Sequence, residues 1–145
     1  MKRHRALEPF SRDHNIGLIL ARSLQLGREG AEQAARAAWE GELKDHFDEE
    51  ERLLGPLLDT ALLERLITEH RQIAQQLDDL PGSMAELGSA LHEHIRWEER
   101  VLFPWLETHA TEEQLADLER EANVLEVRRW ETDARRKTLV TRRWS

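Results

Sequence analysis

The sequence predicts an all-α protein: an up-down-up-down four-helix bundle with an additional C-terminal helix. Three observations carry this expectation. Helix-forming residues dominate the chain, breakers at Gly27 and Gly30, Gly55-Pro56, Pro81-Gly82 and Pro104 punctuate it into long segments, and no stretch alternates apolar and polar residues as a strand does. The segments between breakers are long enough for bundle helices, and their connections are short. At 145 residues the chain is one modest domain with material for one hydrophobic core.

The first helix is expected over about 11–28 and the second over about 31–54, where Gly55-Pro56 stops it. The third opens at an Asp59 or Thr60 cap and reaches about residue 80. The fourth opens on Ser83-Met84-Ala85-Glu86, a capping box in which hydroxyl and carboxylate satisfy free backbone N–H groups, and ends near Phe103-Pro104. A fifth opens on a second capping box, Thr111-Glu112-Glu113-Gln114, and runs into a basic tail. Residues 1–120 hold 14 basic and 25 acidic side chains, whereas 121–145 hold 7 and 4. This asymmetry divides the chain into a bundle over 1–120 and a basic helical extension over 121–145.

Composition excludes several chemistries. With no cysteine there is no disulfide, thiolate zinc site, cysteine-held iron–sulfur cluster or cysteine nucleophile, and with no tyrosine there is no tyrosyl radical. A metal would have to be held by nitrogen and oxygen. No run of 18 uncharged apolar residues occurs and the start lacks a signal-peptide core, so a soluble, cytoplasmic protein without a membrane partner is expected. The net charge of −8 argues against a nucleic-acid partner.

Each helix carries an apolar stripe at helical spacing, and each stripe is interrupted in the same way. Helix one reads Phe10, His14, Gly17/Leu18, Ala21, Leu24; helix two reads Trp39, Leu43, His46, Glu50, Leu53/Leu54, Leu57. Helix three reads Leu63, Leu66/Ile67, His70, Ile73/Ala74, Leu77, Leu80; helix four reads Leu87, Leu91, His94, Glu98, Val101/Leu102, Trp105. Every helix thus puts a histidine on its core face, and two add a glutamate one turn later. Unpaired, each buried polar group costs about 1–3 kcal/mol, and a buried charge costs more. A pair of cations offsets this, because ionised carboxylates and neutral imidazoles then serve as ligands. A His/Glu set without sulfur suits iron or manganese, with zinc also able to fill it, over magnesium or calcium. Residues 46–56 align without gaps on residues 94–104 at a constant offset of 48, so helices two and four look like copies around a pseudo-two-fold site.

The order lone His14, His46-x-x-x-Glu50, lone His70, His94-x-x-x-Glu98 resembles the hemerythrin-like family, or HHE cation-binding domain, over roughly residues 10–105. The segment HIRWEERVLFP is similar to that family's most recognisable stretch. The resemblance implies that His14 and His46 ligate one iron and His70 and His94 the other, with Glu50 and Glu98 bridging and an oxo or hydroxo bridge completing the pair. Two departures separate the chain from the invertebrate oxygen carriers: Ala74 stands where they have a further histidine, and Glu98 where they have an aspartate one residue later. The iron-centre repair proteins add an N-terminal cysteine-bearing segment, which is missing here. The ligand set looks more like that of bacterial and sensory HHE proteins.

The function so implied is binding or sensing of dioxygen, nitric oxide or peroxide at a buried di-iron centre. The alternatives are a small di-iron peroxidase or nitric-oxide-handling enzyme, and an iron storage or iron-sensing module. His4, His92 and His109 fall outside the set: His4 precedes the first helix, His92 lies about 200° around its helix from His94, and His109 reads as solvated. Trp39 and Trp105 read as packing residues. Asp13, Asp45, Glu69 and Glu93 each precede a proposed ligand but point off its face. They read as surface groups, one or two of them able to serve a histidine on a neighbouring helix. Val124, Leu125, Val127, Trp130, Leu139, Val140 and Trp144 among the tail's arginines make it a candidate bundle cap, homodimer contact or site for an acidic partner, the alternative being a partly disordered, solvated helix.

Overall fold

A computed structural model describes residues 3–144, with side chains through residue 128. The described residues are all-helical, with no strand among them. Helix α1 (Glu8–Arg12) steps at Asp13 into α2 (His14–Gln25); α3 (Ala31–Ala38) continues through a π turn (Trp39–Leu43) into α4 (Lys44–Leu53). Then follow α5 (Thr60–Asp78), α6 (Met84–Trp97), a second π turn (Glu98–Leu102), α7 (Phe103–His109) and α8 (Glu112–Trp144). No helix among the described residues is long and apolar enough to cross a membrane.

The segments follow the expected order, with three differences. The first helical stretch starts earlier, at Glu8, because Pro9 is pre-set for a first turn and Ala6, Leu7 and Phe10 bury against the core. The fourth does not stop near Pro104 but continues to His109. Pro104 lacks a backbone N–H and sits in the first turn of α7, directly after the π turn has already broken the regular ladder. Ser83 makes no cap; its hydroxyl donates to the Gln76 carbonyl instead. The other two caps form as the sequence predicts. Asp59 accepts from the Leu62 N–H at 2.8 Å, and Thr111 and Gln114 exchange reciprocal bonds of 3.1 and 2.9 Å.

The second π turn also shifts the stripe. Val101 is exposed while Leu102 and Phe103 are fully buried, and Trp97 joins the core from off the predicted stripe. Trp39 and Trp105 are only half-buried, Trp105 stacking on His109.

Two apolar clusters form the core. One gathers Leu7, Phe10, Leu54, Leu66, Leu102, Leu106 and Leu115 with their neighbours; the other gathers Leu24, Ile73, Leu77, Leu87 and Leu91 with theirs. The α1/α2 stretch runs from the first cluster to the second, α4 from the second to the first, α5 back again, and α6/α7 returns. Each carries one buried histidine. Helix α8 lays Leu115, Leu118 and Ala122 on the first cluster. Its side chains beyond residue 128, including Trp130, Leu139, Val140 and Trp144, lie outside the described residues.

Helices α2 and α6 pack with backbone nearly touching. A Cβ at Gly88 would lie 2.6 Å from the Ala21 carbonyl oxygen, and one at Gly17 would lie 2.7 Å from Ile95 Cδ1. Gly88→Ala is therefore expected to push backbone apart and cost about 2 kcal/mol. Thermal unfolding would show this as a melting temperature several degrees lower, and an unchanged melt would contradict the close approach. At the turn between α2 and α3, Gly27 (φ +61°) and Gly30 (φ +82°) adopt left-handed conformations that favour glycine.

Candidate metal centre

His14, His46, Glu50, His70, His94 and Glu98 are all buried, with Glu50 at 0 % exposure and His94 and Glu98 at 1 %. The helical stripes bring them to one place midway between the apolar clusters. Ligand atoms of His14, His46, Glu50 and Glu98 lie within 4.8 Å of one another, and so do those of Glu50, His70 and His94. Glu50 Oε2 lies 3.5 Å from His46 Nε2 while its Oε1 lies 3.1 Å from His70 Nε2. Glu98 Oε1 lies 3.3 Å from His14 Nε2 and 3.1 Å from His94 Nε2. Each glutamate therefore sits between one histidine of the N-terminal half and one of the C-terminal half.

The far side of every imidazole is held by a carboxylate from another helical stretch. His14 Nδ1 lies 2.8 Å from Glu99, His46 Nδ1 3.1 Å from Asp13, His70 Nδ1 2.8 Å from Glu51 and His94 Nδ1 2.8 Å from Glu69. The four contacts close a ring: each stretch carries the carboxylate for the histidine of the next, and the last returns to the first. An ionised carboxylate only accepts, so each Nδ1 carries the donated proton and, in the neutral ring, Nε2 keeps the lone pair. All four acids that precede a proposed ligand read from the sequence as surface groups, one or two of them able to serve a neighbouring helix; Asp13 and Glu69 do so, whereas Asp45 and Glu93 are exposed. Glu51 and Glu99 were not anticipated. The doubled acid Glu50-Glu51, repeated as Glu98-Glu99 at the same offset of 48, was the signal. His4, His92 and His109 stay outside: His4 accepts from the Ala6 N–H, His92 from Arg96, and exposed His109 meets the Trp105 carbonyl.

The inner faces have a different status. His14 Nε2, His46 Nε2, His94 Nε2, Glu50 Oε2 and Glu98 Oε2 are buried without a hydrogen-bond partner. Buried polar atoms are normally satisfied, and five orphans within the two clusters are a costly arrangement unless something binds there. The donor set is the nitrogen and carboxylate-oxygen mixture that borderline divalent and trivalent ions take. The residues therefore fit a metal, and these buried His/Glu groups could hold one. Aromatic rings close the space: Phe47 stacks on His70 at 4.0 Å and Phe103 on His14 at 5.7 Å.

Without a metal the same proximity traps protons. Burial alone would lower the His14 pKa, but the Glu98 and Glu99 carboxylates outweigh it and push it from 6.5 to about 9. Burial is likewise outweighed at His94, raised to about 10 by Glu98 and Glu69, and at His46, raised by Glu50 and Asp13. Burial would raise Glu50, yet the neighbouring His46 holds it well below the usual carboxylate range. The raised histidines stabilise the metal-free fold fully below about pH 6.5, and that contribution disappears as pH rises through about 9 to 10. The depressed Glu50 contributes above about pH 4.5, and its contribution is lost as pH falls. Metal-free protein should thus melt highest between these limits, while metal affinity should rise with pH because ligands must shed protons. Zinc titrations at pH 7 in buffers of different ionisation enthalpy are expected to show net proton release; enthalpies independent of buffer would contradict protonated inner faces.

No protein-family model, curated protein or solved structure matches the chain.

Proposed function

We propose that the protein is an up-down-up-down four-helix bundle of hemerythrin-like type that holds two iron ions and binds dioxygen, nitric oxide or peroxide. The observation that carries this reading is that five nitrogen and oxygen atoms of the clustered residues are buried without a hydrogen-bond partner. The alternating sense in which the helical stretches run between the apolar clusters supports the bundle topology. His14 and His46 would hold one ion, His70 and His94 the other, and Glu50 and Glu98 would lie across both, since each approaches a histidine of either pair. Zinc or manganese would fit the same donors.

Iron bound there supplies one-electron chemistry and coordination positions that six protein ligands leave open. The chain's part is geometric and electrostatic. Asp13, Glu51, Glu69 and Glu99 orient the imidazoles, which fixes where each Nε2 points. The buried Glu50 and Glu98 carboxylates would offset part of the charge of bound cations. Phe47 and Phe103 pack against ligand rings and keep water from them.

The test is metal content with an optical spectrum, on protein from iron-supplemented cells. The expected result is about two irons per chain, with near-ultraviolet charge-transfer bands that bleach on reduction and return in air. Protein that carries no metal, and whose melting is unchanged by ferrous iron added anaerobically, would overturn the reading.

A further inference from the structure

Beside the cluster, α2, the first π turn with α4, and α8 leave a cleft of about 400 Å³. His46 and its partner Asp13 belong to its lining, so the cleft reaches the edge of the buried histidines on one side. The π turn contributes Gly41 and Leu43, and such turns are frequent at functional sites. The lining has two characters. Ile16, Leu20 and Leu43 form an apolar wall, with Ile16 at 57 % exposure despite its size. The described lining also carries the exposed carboxylates Glu42 and Asp45, besides Glu49 and Arg128 and the Asp13–His46 pair.

Dioxygen, nitric oxide or peroxide would fill a small part of this volume, which falls in the range of organic-ligand sites. An apolar wall beside an anionic rim matches a molecule with an apolar body and a positive end. We propose that the cleft binds an amphipathic organic cation, a protonated alkyl- or arylamine, with its body on Ile16, Leu20 and Leu43 and its ammonium at Glu42 and Asp45. The proposal rests on the cleft's lining and not on the di-iron reading, so it goes beyond that reading and is tested separately from it.

The experiment titrates the full chain, both as purified and after chelation, with n-octylammonium, n-octanoate and 1-octanol, following the amide resonances of Gly17 and Gly41 in the cleft. Octylammonium is expected to shift both saturably, with octanoate about tenfold weaker or more because like charges repel at the rim. Ile16→Trp, at an exposed position that tolerates a large side chain, should fill the cleft and abolish saturation. Glu42→Gln with Asp45→Asn should weaken octylammonium about fivefold and leave octanol unchanged. No saturable shift at either glycine, octanoate binding as tight as octylammonium, or unaltered binding by Ile16→Trp would each overturn the proposal. Because chelated protein is included, failure of the metal reading leaves this result interpretable.

Discussion

Protein carrying His46→Leu and Glu50→Leu is expected to purify without iron, against about two ions per wild-type chain. The effect should be complete because Glu50 lies against His46 with one oxygen and His70 with the other, so its loss strips a donor from both positions. Metal binding stabilises by mass action: at a thousand times the dissociation constant it contributes about 4 kcal/mol. Iron should accordingly raise the wild-type melting temperature by roughly 10 °C, and should not move that of the double variant. Metal-free, the variant is expected to be as stable as the wild type or more so, by up to about 4 kcal/mol, since leucines replace buried groups with orphaned atoms. Retained iron would show that these residues are not ligands. A collapse of the metal-free fold would show that the polar cluster is structural in its own right.

The second large effect concerns the carboxylate ring. Glu51→Ala releases the Nδ1 side of His70, a contact of 2.8 Å, while leaving all six proposed ligands in place. Metal affinity is expected to fall about 10- to 100-fold with the number of ions at saturation unchanged. Glu51→Gln should recover part of the loss, because its amide oxygen still accepts the Nδ1–H bond without the charge. Glu93→Ala, beside His94 in sequence but exposed, should change nothing and serves as the control. Competition titrations with a chromophoric zinc chelator read all three. Equal affinities for Glu51→Ala and Glu93→Ala would mean that the ring contacts do not orient the imidazoles.

Both experiments probe different depths of what a single chain reveals. The helical class, the number of long segments and the six buried polar residues were legible in the sequence. A period of 3.6 places residues on a helix face whatever the neighbours are, and His14, His46, His70 and His94 each occupy a position where leucine is expected. The caps at Asp59 and Thr111 were legible within four residues, whereas the one expected at Ser83 is lost to the Gln76 carbonyl seven residues away. The helix through Pro104 was not, because the π turn that accommodates it is a departure from the period on which the reading depends.

The sequence by itself determined that two glutamates and four histidines lie on buried helix faces; only the tertiary structure decided which atoms meet and, past the second π turn, which side chains the core takes. Glu51 and Glu99 lie about 100° around the helix from Glu50 and Glu98, off the apolar stripe and on the flank turned toward an adjacent helix. Whether such a flank faces solvent or a neighbour's imidazole depends on how the helices are rotated and how closely they approach. Gly17 and Gly88 set that approach between α2 and α6. The cleft beside His46 has the same origin, as a space between three stretches far apart in the chain, with no local pattern to announce it.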